Sequence, residues 1–215
     1  MGGGQPKNGN HVYGRLVRCV VEELDDLQRQ VRMMKQAPKH GVTSMALSGE
    51  EVQAFMDYLV DAVPVKGKVN KSGKEKEDTS VRDADVYFIE HEAESLYEIL
   101  QKVAKTVNLY FKYNLTGIEK AQIMHYKAPS NGYEYHIDLA PNGNDISRKV
   151  SVSILLNDEY EGGEICFRTS EHGTCQKPET GNVVAFSSFI PHKINPVTSG
   201  ERYAVVVWFT GPCFR

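Results

Sequence analysis

From residue 118 onward the chain is a succession of short strand-like runs with no helical stretch between them, and this limits its fold more than any other feature. The runs cover 119–127, 133–138, 148–156, 164–168, 182–187, 192–197 and 202–210, and Gly, Pro and Asn punctuate them. Many short strands without crossover helices predict an antiparallel sandwich or barrel. Upstream the periodicity is helical. Val17, Val20, Leu24, Leu27, Val31 and Met34 follow a 3-4 spacing within 14–36. Ser48-Gly-Glu-Glu51 reads as a capping box that opens a second helix. Its apolar stripe of Val52, Phe55, Met56, Leu59, Val60 and Val63 ends at Pro64. A third helix is expected over 92–108, after a short strand at 85–89. The expected architecture is α+β, with supporting helices first and a barrel after them. Residues 1–46 form a tail and amphipathic helix, and 47–215 the main domain.

Residues 65–82 are polar and densely charged and read as a mobile loop hinged at Gly67 and Gly73, with a lid as the functional alternative. Their lysines interleave with Glu75, Glu77 and Asp78, which weakens any basic field. The 14–36 stripe reads as a helix packed on its own domain, or as a contact for a homodimer.

Composition excludes several classes. The 215 residues are 40% apolar, enough for a sizeable core, and the net charge of −3 gives no general attraction to nucleic acid or an anionic membrane. No apolar run approaches the roughly 20 residues that span a bilayer. Met1-Gly-Gly-Gly-Gln-Pro6 lacks the regions of a signal peptide, and Pro6 stands where a myristoylation signal has Ser or Thr. Cys19, Cys166, Cys175 and Cys213 form no C-x-x-C pair, so reduced thiols and a cytoplasmic location are expected, although a Cys166–Cys175 bridge across a hairpin is conceivable.

Four residues carry the chemistry. His136 and Asp138 are two apart, so on a strand both face the same side. His192 comes 56 residues later and must arrive from another strand. Two imidazoles and one carboxylate suit Fe(II), occupy one face of the ion and leave the other open, whereas a closed zinc site would need a fourth protein ligand. Arg202, ten residues after His192, shares a strand face with Ala204, Val206 and Trp208. A cation in such apolar surroundings needs an anion, and a ligand carboxylate would satisfy it in bidentate fashion. His91, His125 and His172 read as structural or surface groups, and Gly162-Gly163 as a turn between strands.

Residues 81–210 resemble the prolyl 4-hydroxylase-like branch of the 2-oxoglutarate/Fe(II) dioxygenases. The stretches that carry the likeness are Val81–Val86, Gln122–Tyr126, Tyr135–Asp138, Arg148–Asn157, Tyr160–Ile165, Gly181–Phe186 and Pro191-His192 through Arg202-Tyr203. The resemblance implies a double-stranded β-helix (jelly roll) with iron on His136, Asp138 and His192, and these three as the catalytic centre. It implies 2-oxoglutarate anchored at its far carboxylate by Arg202, with Tyr126 lining the co-substrate pocket. It implies O2 as second co-substrate, ascorbate as reductant, and hydroxylation of a peptide or protein substrate, proline first. Many relatives carry Tyr where Leu155 stands and Lys where Arg202 stands; leucine cannot donate a hydrogen bond. Rival readings are the same iron chemistry on another amino acid, a small molecule or a nucleobase, and an inactive cupin-like metal-binding module.

Overall fold

The computed structural model describes residues 42–71, 74–139, 147–168 and 173–213, without the side chains of 42–44 and 69–76. Every described residue belongs to one compact unit that begins at Pro38. The 14–36 stripe and His172 therefore lie outside the described residues.

Among the described residues, helix α1 (Gly49–Tyr58) begins where the sequence predicts. Ser48 accepts from the Glu51 N–H, and the Glu51 carboxylate accepts from the Ser48 N–H, so two otherwise orphaned donors are satisfied. The helix stops at Tyr58, well before Pro64, and leaves Val60 and Val63 in solvent. The stripe continues in sequence past the point where there is core to cover. Helix α2 (Glu94–Phe111) is longer than predicted and ends on Lys112 in the left-handed region at φ 56°.

Strands β8 (Gln122–Lys127), β10 (Arg148–Leu155), β14 (Asn182–Ser187) and β16 (Val197–Thr210) form the centre of a large antiparallel sheet. Its order is completed by β1 (Val42–Ala46) beside β14, and by β6 (Asp85–Phe88) and β2 (Val65–Lys66) beyond β8, with β7 (Gly117–Ile118) and β11 (Tyr160–Gly162) also paired to β16. The sequence reading assigned residues 42–46 to the N-terminal segment, yet they form an edge of this sheet in register with β14. A second sheet runs β13 (Thr174–Gln176), β12 (Ile165–Phe167), β15 (His192–Ile194), β9 (Gly132–His136), β5 (Arg82–Asp83). The fold is the jelly-roll double-stranded β-helix.

Alternation along the central strands sorts the two cores. Ile123, Val150, Ile154, Val183, Ala185, Val205, Val207 and Phe209 pack with Phe55, Leu96, Leu100 and Val103 of the helices. Each such side chain, fully removed from water, contributes roughly 1.5–3 kcal/mol. The opposite faces, with Met124, Tyr126, Leu155, Val184, Phe186 and Ala204, turn inward with Ile165 and Ile194 of the second sheet. That interior holds the polar residues of interest.

Two expectations fail. Residues 65–82 are not a loop: β3 (Lys68–Lys71) and β4 (Lys74–Glu77) pair as a hairpin, with Lys68 opposite Glu77. The two strand sequences, KVNK and KEKE, are almost wholly polar, so they carry no apolar alternation to be read. The reduced-thiol expectation also fails for one pair. Cys166 and Cys175 are register partners on β12 and β13 and are joined by a disulfide. Cys213 is free and exposed. Among the described residues no helix is long and apolar enough to cross a membrane.

Candidate active site

His136 is the last residue of β9 and His192 the first of β15, and the two are direct register partners. Strand pairing thus closes the 56-residue gap between them. The imidazoles lie 4.2 Å apart between centroids. Asp138 is not on the strand, contrary to the simple i, i+2 argument, because β9 ends at His136. The backbone turns instead, exposing Ile137, and Asp138 is held by its own N–H donating to the Ser188 carbonyl at 2.9 Å. The Arg148 guanidinium donates to the Asp138 carbonyl at 3.3 Å. The Asp138 carboxylate then stands 3.6 Å from His136 Nε2 and 3.5 Å from His192 Nε2. One donor atom from each of the three residues lies within 4.8 Å of the others.

Tautomers follow from the partners. His136 Nδ1 donates to the Glu134 carbonyl at 2.7 Å and His192 Nδ1 to the Ile190 carbonyl at 3.0 Å. A carbonyl can only accept, so both Nε2 lone pairs are left for a metal. The His136 pKa is pushed down to about 4, first by burial and then by His192 beside it, which keeps the ring neutral. Burial alone would raise Asp138, but the two imidazoles and the Ser151 hydroxyl outweigh it and hold the carboxyl below its ordinary value. Ser151 Oγ donates to Asp138 Oδ2 at 2.7 Å and lies 3.0 Å from Ser188 Oγ. Tyr133 stacks on His136 with centroids 3.7 Å apart, and burial pushes its phenol up to about 12.

These groups open into a cavity of about 650 Å³ between the sheets. Tyr126 and Ile165 line it, and Arg202 packs behind them, 5.6 Å from the Tyr126 ring centroid. Arg202 is 1% exposed, its Nε is buried without a partner, and among the described residues no carboxylate pairs with it. By contrast Arg148, also buried, is fully met: Nε and Nη2 grip the Glu119 carboxylate at 2.7 and 2.6 Å, and the guanidinium lies 3.7 Å from the Trp208 ring. His125 is structural as expected, stacked on Tyr203 and bonded to Glu201.

Sequence reasoning singled out the two histidines, Asp138, Arg202 and Tyr126; His136, Asp138 and His192 converge, Tyr126 lines the same cavity, and Arg202 lies beside Tyr126. It missed Ser151, Ser188, Arg148 and Tyr133. Ser151 and Ser153 interrupt an apolar strand on its inward face, and that signal was available. Glu119 and Ser188 come from connections, where nothing local marks them.

The donor set and the unmet cation suit Fe(II) with an acidic keto acid. Residues 121–210 match the family described as the 2OG-Fe(II) oxygenase superfamily. A PKHD-type hydroxylase of Alteromonas mediterranea is 36% identical over 86 residues, covering 37% of this chain and 38% of that protein. Prolyl 3-hydroxylase 2 of Rattus norvegicus is 31% identical over 149 residues, covering 57% of this chain and 21% of that protein. The match thus spans well under half the length of these curated relatives. Among solved structures, a Trichoplax adhaerens prolyl hydroxylase in complex with a hypoxia-inducible factor peptide superposes with TM-score 0.69 at 20% identity, covering 88% of this chain and 92% of that one. A Pseudomonas putida prolyl-4-hydroxylase gives 0.65 at 19%, covering 85% and 99%. Over residues 121–210 the chain is thus similar to the 2OG-Fe(II) oxygenase superfamily, and it shares the fold of these solved structures.

Proposed function

We propose that this chain is a 2-oxoglutarate- and Fe(II)-dependent dioxygenase that hydroxylates a peptidyl residue, proline first. The observation that carries the proposal is the pairing, in one barrel, of three converged metal donors with a buried Arg202 that has no anion of its own. His136, Asp138 and His192 would hold Fe(II) through two Nε2 atoms and a carboxylate oxygen, leaving room for a chelating keto acid. Arg202 would take the far carboxylate of 2-oxoglutarate as a charge-assisted partner, with Tyr126 lining the chamber between. Fe(II), when bound there, would bind and activate O2, with two of the electrons coming from oxidative decarboxylation of 2-oxoglutarate to succinate and CO2 and two from the hydroxylated substrate.

The chain's own residues supply the rest. Ser151 and Arg148 fix Asp138, one at the carboxylate and one at the carbonyl. Glu134 and Ile190 lock the imidazole tautomers. Tyr133 holds the His136 ring plane, and the interior apolar residues exclude water from the keto acid. The prolyl preference and the peptide partner rest on likeness to the named hydroxylases. O2 and ascorbate are the further requirements expected. Residues 47–215 are the catalytic unit in this reading. The Cys166–Cys175 bond weighs against the cytoplasmic location expected from the sequence, because structural disulfides persist in oxidising compartments.

The test is succinate production by purified protein with Fe(II), ascorbate, O2 and 2-oxoglutarate, with and without proline-containing peptides. Peptide-stimulated succinate, with one oxygen atom added to a prolyl residue by mass spectrometry, is expected. No succinate, with His136→Ala identical to the parent, would leave the inactive module standing.

A further inference from the structure

Two buried polar atoms in the barrel lack partners and lie beside each other: Arg202 Nε and the Tyr160 hydroxyl. Tyr160 is 5% exposed and Arg202 1%. They come from neighbouring paired strands, β11 and β16. Gly163 shows how closely they converge. A methyl group there would stand 2.9 Å from Arg202 Cδ and 2.9 Å from Tyr160 Cε2. Gly163 has φ +66°, so glycine serves both the turn and the space. The Tyr160 ring is also clamped from outside, by Lys177 Nζ at 4.3 Å from its centroid and by the same ammonium donating to the Tyr160 carbonyl.

The guanidinium can donate to the phenol oxygen, but the phenol O–H itself and the remaining guanidinium N–H have no acceptor between them. Leaving such groups unmet costs roughly 1–3 kcal/mol each, more for the charged one. A carboxylate has two oxygens and would satisfy both at once. Leu155, where many relatives carry a phenol, lies in the same interior cluster and has no donor to offer. We infer that the Tyr160 hydroxyl is the second donor to the far carboxylate of 2-oxoglutarate, supplying from β11 the hydrogen bond that position 155 cannot. This rests on the proposed function, since it names a further contact of the same co-substrate.

Tyr160→Phe removes one oxygen and keeps the ring, so the packing against Gly163 and Lys177 survives. The experiment loads the parent protein and the variant with Mn(II) and titrates 2-oxoglutarate by calorimetry. 2-Oxobutyrate, which keeps the keto acid end and lacks the far carboxylate, is measured by displacement. The expected result is a loss of roughly tenfold or more in 2-oxoglutarate affinity and no change for 2-oxobutyrate. Unchanged 2-oxoglutarate affinity in the variant would overturn the role of Tyr160 while leaving the oxygenase reading intact. Equal losses on both acids would make Tyr160 a packing residue and overturn it too. Failure of the parent protein to bind 2-oxoglutarate would overturn both.

Discussion

Arg202→Met separates a residue kept for binding from one kept for folding. Arg202 is 1% exposed, has no carboxylate partner among the described residues, and leaves Nε unmet. Burying an ion costs several kcal/mol, and a hydrophobic replacement of similar volume is neutral to stabilising by about 1–4 kcal/mol even where the charge is paired. Methionine retains most of the stem that runs past Gly163. The ligand-free variant is therefore expected to be as stable as the parent or more so. Binding should move the other way. Losing a buried, bidentate partner costs about 3–5 kcal/mol, a fall of roughly 10²–10³-fold or more in 2-oxoglutarate affinity. Urea unfolding of the Mn(II)-loaded proteins reads both effects. At 2-oxoglutarate a hundredfold above its parent Kd, the parent should gain about 2.7 kcal/mol and the variant almost nothing. A variant that is less stable by 2 kcal/mol or more without ligand, yet still protected by 2-oxoglutarate, would refute the argument, because Arg202 would then be serving the fold.

Three further outcomes are expected. Ser151→Ala removes the hydroxyl bonded to Asp138 and should weaken metal binding by roughly 10–100-fold with little change in stability, measured by Co(II) titration; unaltered affinity would show that Asp138 needs no such support. In the metal-free protein, His136 takes up a proton near 6.5 when unfolded and only at about 4 when folded, so its contribution is complete above 6.5 and is lost as pH falls toward 4. Across that window the parent should lose on the order of 2–3 kcal/mol that His136→Ala does not, and parallel pH profiles of the urea midpoint would contradict this. Ser48→Ala should cost about 1 kcal/mol by removing the α1 cap, read as a lowered Tm, and no loss would mean the capping box is redundant with the packing of Phe55.

Much of this molecule was legible because two periodicities carry it. Along β10, β14 and β16 successive side chains go to opposite cores, so the face that Arg202 shares with Ala204 and Trp208 followed from strand periodicity alone, and the capping box of α1 could be read directly. His136 and His192 were legible as residue types, while their adjacency depends on β9–β15 pairing, which no local pattern encodes. Elsewhere the signal was absent or misleading. The β3 and β4 sequences are almost wholly polar, so no apolar alternation marks them, and α1 ends where its core ends rather than where its stripe does. Asp138 reaches the site by leaving the strand, so the two-residue spacing gave the right answer for an incomplete reason. The Cys166–Cys175 bond joins cross-strand neighbours nine residues apart, a relation that appears only once β12 and β13 are paired.

An anaerobic titration is the most direct test of the three-residue metal site. Fe(II) is added to the apoprotein, then 2-oxoglutarate, and the visible charge-transfer band of a keto acid chelated to ferrous iron is followed. One Fe(II) per chain is predicted, with the band appearing only after 2-oxoglutarate and absent in His136→Ala and Asp138→Ala. No band in the parent, or the same band in both variants, would contradict the claim that these three side chains hold the iron.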